Sequence, residues 1–200
     1  FNKLLNKNNI NVIGISSLFF NSGITDMVNK YKSNKTRRHL EKIKKVIDVF
    51  DPKYITLGSP DIRKQCTKEM LEEFISGFSK KIFPTILSIE PFSLSYGSNF
   101  FQTLEEIFIF ISNTKIINLN CTFDTRLFYE NESMNIRNIL LKNISKISSI
   151  QISVDNNTLL YDLNKKLYQL IIESKIENIT LELINEKLTF IKDVKRTYEY

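Results

Sequence analysis

Four polar residues stand near the ends of four strand-like segments: Glu90 in TILSIEPF, Asp124 in INLNCTFDT, Gln151 in SSIQISV and Glu182 in NITLELI. Each follows a small polar residue two positions earlier, namely Ser88, Thr122, Ser149 and Thr180. Strand side chains alternate between faces, so each such pair shares one face. The alternate positions are apolar: Leu87 and Ile89, Cys121 and Phe123, Ile150 and Ile152, Leu181 and Leu183. If these strands lie in one sheet covered by helices, the carboxylates Glu90, Asp124 and Glu182 point into one enclosed space. Carboxylates are seldom buried unless paired, protonated or bound to a metal. Held a few ångströms apart they repel, and one takes up a proton unless a cation sits among them. A divalent ion would neutralise two of them in a hard oxygen site. Carboxylates on opposite sides of a substrate would then act as base and acid in moving a proton.

The elements that must position these residues are legible from hydrophobic period. FNKLLNKN at 1–8 reads as the tail of a helix and INVIGISSLFF at 10–20 as a strand. In 36–50, Leu40, Ile43, Val46, Ile47 and Phe50 recur at helical spacing, and Asp51-Pro52 ends the run. YITLGSP at 54–60 is a short strand; 67–82 is a helix with Thr67 as N-cap and Met70, Leu71, Phe74, Phe78 and Ile82 as its apolar side. Strand 85–92 leads to helix 103–112, which opens on the Thr-x-x-Glu pattern of a capping box. Strand 116–124, helix 134–146, strand 148–154, helix 158–174, strand 178–184 and a helix at about 187–198 follow.

Strand and helix alternate throughout, the pattern of a parallel sheet with crossover helices. Flat, doubly covered parallel strands are almost continuously apolar. Several strands here carry a polar face, which suits a barrel interior whose mouth holds a polar site. The fold class expected is therefore α/β, a TIM-type (β/α) barrel. Six strands do not close an eight-stranded barrel, so the first two strands are expected to be missing from this chain or the barrel to be reduced. Residues 1–200 read as a single, partial barrel domain. An open parallel edge would favour a partner or a second copy, a homo-oligomer.

The 200 residues are 42% hydrophobic, enough for a core of ordinary size. The net charge of +6 is spread among acidic residues, and the densest basic stretch, Lys35 to Lys45, reads as a solvated helix face. No basic stripe with interleaved aromatics is visible, so no nucleic acid partner is expected. No run reaches the length of a membrane span, and no membrane partner is expected. Cys66 and Cys121 are too far apart in sequence for a disulfide framework or metal cluster, and read as reduced thiols of a cytoplasmic protein.

In order along the chain, RRHLEKIKKVID before YITLGSPDIRK, then LSIEP, YGSNFFQTLEEI, the Asp-Thr of FDT and finally LELI cover nearly its whole length. In these motifs the chain resembles the xylose isomerase-like barrel superfamily, more closely its sugar phosphate isomerase/epimerase members. The resemblance implies strands three to eight of the barrel. It also implies a divalent metal held by Glu90, Asp124, Gln151 and Glu182, with Glu90 and Glu182 as the catalytic acid/base pair. Gln151 stands where that family generally has a histidine. An amide oxygen is a harder and weaker ligand than imidazole, so Mg²⁺ or Mn²⁺ is expected rather than Zn²⁺, or else the metal and the activity have gone.

A small sugar with adjacent hydroxyl and carbonyl oxygens is the substrate so implied. Removal of a carbon-bound proton gives an enediolate, and its return completes an epimerisation or an isomerisation. Arg63 in the loop after Gly58-Ser59-Pro60 is a candidate for gripping a carboxylate or phosphate. Tyr96 and Asn99, after Glu90, are candidates for substrate hydrogen bonds, with Lys64 and Arg126 as further anion candidates. Gly58 is expected to serve a tight turn, His39 to border a helix's apolar stripe, and Cys121 with Phe108 and Phe110 to pack in the core. The alternative function is a catalytically silent barrel that binds a sugar or a protein partner. A phosphodiester-cleaving metal enzyme should show more histidines than His39 alone.

Overall fold

The computed structural model describes residues 2–16, 18–19, 33–58, 66–92, 99–125, 136–154 and 165–183. The chain forms two compact units, Phe1–Thr122 and Phe123–Tyr200. The first holds α1 (Asn2–Lys7), β1 (Gly14–Ile15), α2 (Asn34–Phe50), β2 (Tyr54–Leu57), α3 (Lys68–Ile82), β3 (Ile86–Ile89), α4 (Leu104–Asn113) and most of β4 (Leu119–Asp124). The second holds the end of β4, α5 (Ile136–Lys142), a 3₁₀ turn (Ile144–Lys146), β5 (Ile147–Val154), α6 (Lys165–Ser174) and β6 (Ile179–Leu183). Among the described residues the strands run in the sheet in sequence order, β1 to β6.

In the first unit β1, β2, β3 and β4 pair in parallel, with Thr56 opposite Ser88 and Ser88 opposite Asn120. The β2 residues are buried on both faces, as a helix-covered parallel strand requires. Leu87, Ile89 and Cys121 are fully buried, and so are Leu71, Phe74, Ile75, Phe78 and Ile82 of α3. Phe74 and Phe78 stack at 5.9 Å, and Phe19 meets both edge-on. Burying each ring is worth about 1.5–3 kcal/mol.

The polar face is concave. Thr122 Oγ1 on β4 lies 2.7 Å from Ser88 Oγ on β3 and 3.2 Å from Thr56 Oγ1 on β2. In a flat sheet the backbones of β2 and β4 would stand about 9.5 Å apart, twice the strand spacing. Short Thr side chains pointing straight out from a flat sheet would not meet, so these strands curl toward the hydroxyls, as barrel strands do toward their interior.

The helices start where the caps predict. Thr67 Oγ1 accepts from Met70 N, and Thr103 Oγ1 accepts from Glu106 N. The return half of the capping box differs from expectation: Glu106 Oε2 accepts from Gln102 N, one residue before the cap. α2 begins earlier than expected, because Ser33 caps it through Thr36 N. Its buried stripe is Thr36, Leu40, Ile43 and Ile47; Val46 is exposed, a correction to the sequence reading. The Lys35–Lys45 stretch presents its cations outward or half-buried, with Lys44 paired to Asp48. Asp51 ends α2 in the left-handed conformation, which Asp tolerates better than most residues.

Other boundaries also shift. Among the described residues the 10–20 strand shrinks to Gly14–Ile15, and β4 starts at Leu119, because residues 117–118 form a turn. The helix expected over 134–146 is α5 followed by the 3₁₀ turn. Residues 158–164 and the helix at 187–198 lie outside the described residues.

In the second unit β5 and β6 pair in parallel, Gln151 opposite Thr180 and Ser153 opposite Glu182. Phe123 and Ile150 are buried. Arg137 of α5 donates to the Glu173 carboxylate of α6 through both Nε and Nη2, at 3.1 and 2.6 Å. Asn178 Nδ2 donates to Ser148 O, fixing the entry of β6 beside that of β5.

Candidate functional site

In the first unit the polar face ends on Glu90, directly after β3. Glu90 N donates to Leu57 O at 3.2 Å, so the ladder with β2 continues one residue past the strand. Its side chain is 5% exposed. Two residues back on the same face is Ser88, one member of the Thr56–Ser88–Thr122 hydroxyl cluster. Each of these hydroxyls is buried, and Thr122 bridges the other two. A layer of satisfied hydroxyls therefore lies behind the carboxylate along the strands.

Gly58 follows β2 and lies against the Glu90 carboxylate. A Cβ built on Gly58 would lie 2.5 Å from Glu90 Oε2 and 3.2 Å from Phe92 Cε2. Its backbone is outside the left-handed region, so the demand for glycine here is one of space. Beyond Glu90, Phe92 N donates to Phe101 O at 3.0 Å. Phe101 holds a positive φ of 58°, uncommon for an aromatic residue, and its buried ring packs on Phe110. The predicted Asn99 stands exposed just before this point. Arg63, Lys64 and Tyr96 lie outside the described residues.

In the second unit, Asp124 continues the face of Asn120 and Thr122 along β4 and is 2% exposed. Thr125 N donates to Gln151 O, and Ser153 N donates to Thr125 Oγ1. These bonds hold the exit of β4 beside Gln151 and Ser153 of β5, both buried. Glu182 is described in its backbone, at the register position of Ser153. Its side chain and Arg126 lie outside the description. Thr125 and Ser153 were missed as positioning residues; the Asp-Thr pair was visible, but a threonine's latch on the next strand has no sequence signature.

Glu90 in the first unit and Asp124 in the second are each buried at the exit of their strands, and Gln151 is buried within β5; all three are oxygen donors of the chemical kind a hard divalent ion takes. Among the described residues no group of three or more His, Cys, Asp or Glu side chains forms a metal cluster. Gln151 is not of those types, and the Glu182 side chain is not described.

The remaining candidates are structural. His39 Nε2 donates to Leu18 O at 3.0 Å, and its ring packs against Phe19. Cys121 is a buried thiol, and Phe108 and Phe110 are core. At the opposite end of the strands a concavity of about 540 Å³ is walled by Lys80, Phe83, Ile117 and Asn118 among others; none of the predicted site residues lines it. No described helix is long and apolar enough to cross a membrane.

No protein-family model and no curated protein matches the chain in sequence. Solved structures match it in fold. An AP endonuclease, family 2, from Brucella melitensis gives a TM-score of 0.69 at 14% identity, over 100% of this chain and 82% of that one. A D-tagatose 3-epimerase-like protein gives 0.67 at 13%, over 100% and 80%. A xylose isomerase-like TIM barrel protein from Mycobacterium smegmatis, in complex with magnesium, gives 0.65 at 15%, over 99% and 74%. The chain has the α/β fold of these TIM-type barrels, as its motifs implied.

Proposed function

We infer that the chain is an isomerase or epimerase of a small sugar or sugar phosphate, working by proton transfer. The observation that carries this reading is Glu90: a carboxylate 5% exposed at the C-terminal end of a parallel strand, where barrels of this kind place their chemistry. The likeness to the epimerase-like and xylose isomerase-like structures supports the same class. In this reading residues 1–200 act as one partial barrel domain.

Glu90 and Glu182 are the acid/base pair of the proposal. One carboxylate takes the proton from the carbon beside the substrate carbonyl, leaving an enediolate. The other returns a proton to the opposite face, giving an epimer, or to the neighbouring carbon, giving the isomer. Arg63, Tyr96 and Asn99 bind substrate oxygens. A divalent ion, Mg²⁺ or Mn²⁺ by the hardness of the donors, would be held by Glu90, Asp124, Gln151 and Glu182. When bound it would polarise the substrate carbonyl.

Gln151 supports a second reading, a catalytically silent barrel that binds a sugar or a protein partner. Metal content and Mn²⁺ binding of wild type and Glu182→Gln separate the two. The expected result is roughly stoichiometric metal, lost in the variant, with turnover in a ketose and aldose screen. No metal, and no difference between the proteins, would favour the silent barrel. Cleavage of duplex DNA without turnover of any sugar would replace both readings with phosphodiester hydrolysis.

A further inference from the structure

We propose that Gly58 is a positioning residue for the Glu90 carboxylate: the missing side chain at the exit of β2 is the space that the carboxylate occupies. This rests on the proposed function for its use, though not for its geometry. Three observations carry it. The nearest atom to a Cβ at position 58 is Glu90 Oε2, at 2.5 Å, closer than real Cβ contacts come. The next is the Phe92 ring at 3.2 Å, a tight contact that small side-chain shifts relieve. The Gly58 backbone is outside the left-handed region, so alanine meets no conformational penalty there.

What gives way in Gly58→Ala is decided by stiffness. Glu90 N is held by Leu57 O and Phe92 N by Phe101 O, so the main chain on both sides of the carboxylate is tied. The carboxylate is the far end of a side chain with rotatable bonds. An added methyl group therefore turns the carboxylate away and leaves the strands in place. Any reaction or ion needing Glu90 in its present position loses it, while the fold remains. A glycine serving only a turn would show the opposite behaviour, with a stability cost independent of residue 90.

The test is a double-mutant cycle on Gly58→Ala, Glu90→Ala and the pair, read by thermal midpoint and by Mn²⁺ affinity. In wild-type background Gly58→Ala should lower Mn²⁺ affinity about tenfold with a midpoint drop of only a few degrees. In the Glu90→Ala background it should lower neither further, because its closest opposing atom is gone. If Gly58→Ala fails to fold, Glu90→Ala should restore folding. An equal midpoint loss in both backgrounds, or failure of both to fold, would overturn the proposal. A wild type that binds no Mn²⁺ would remove the metal from the proposed function, and the midpoint cycle would still decide the role of Gly58.

Discussion

The two ends of the first unit's strands solve the burial of polar groups in opposite ways. At the entry end, Asn118 saturates its neighbourhood. Ser79 Oγ donates to Asn118 Oδ1 at 2.6 Å, and Asn118 Nδ2 donates to Ser79 O and Thr85 O at 3.0 and 2.8 Å. One amide thus ties α3, the start of β3 and the start of β4. At the exit end, Glu90 is a potential anion beside a residue with no side chain, backed by hydroxyls that bond to one another. The entry end is arranged for strength, with each amide hydrogen and the oxygen in use. The exit end holds a buried carboxylate packed against the backbone of Gly58. Barrel folds separate stability from chemistry along the same axis.

The comparison is tested most strongly by a reciprocal pair. Glu90→Gln keeps the shape, so stability should change by less than about 1 kcal/mol, while sugar turnover falls about 10²–10⁴-fold. Asn118→Ala should cost about 3 kcal/mol by urea unfolding, since it strands the Ser79 hydroxyl and two buried carbonyls. Its Mn²⁺ affinity per folded molecule should be unchanged. Reversed results would break the division between the ends. Thr122→Val comes next: it preserves volume but takes the bridging hydroxyl from Thr56 and Ser88. A loss of about 1–2 kcal/mol is expected by the same measurement. No loss would mean that the hydroxyl layer is not a structural support for the exit end.

The smallest expected effect lies on the surface, away from both ends. Its own backbone N–H first, and then the Thr67 hydroxyl, hold the exposed Glu69 carboxyl below its usual 4.5. A lowered folded value means that Glu69 adds stability above the unfolded pKa and loses it as pH falls through the folded value. Thermal midpoints of wild type and Glu69→Gln should differ slightly at neutral pH and converge in acid. A difference that persisted below that range would point to a cause other than ionisation.

Much of the first unit was legible because its signals are local. The apolar stripe of α3 is set by a period of 3.6, and Thr67 and Thr103 cap as their sequence context implies. Val46 fits the same period but lies at the stripe's edge, and only packing decided that it faces solvent. In the 10–20 run β-propensity is weak evidence without a partner strand, and register with β2 extends only over Gly14 and Ile15.

The sequence by itself determined the alternation of strand and helix, the polar face of each strand and the identity of the carboxylates on it. Alternation has a period of two, and that period is a property of the backbone. Only the tertiary structure decided that Thr56 and Thr122 meet across an intervening strand, and that Asn118 joins three elements. It also decided that Gly58 faces a carboxylate and not merely a turn. Those contacts join residues 32 to 66 positions apart, and they depend on sheet curvature and register, which no local pattern of residues encodes.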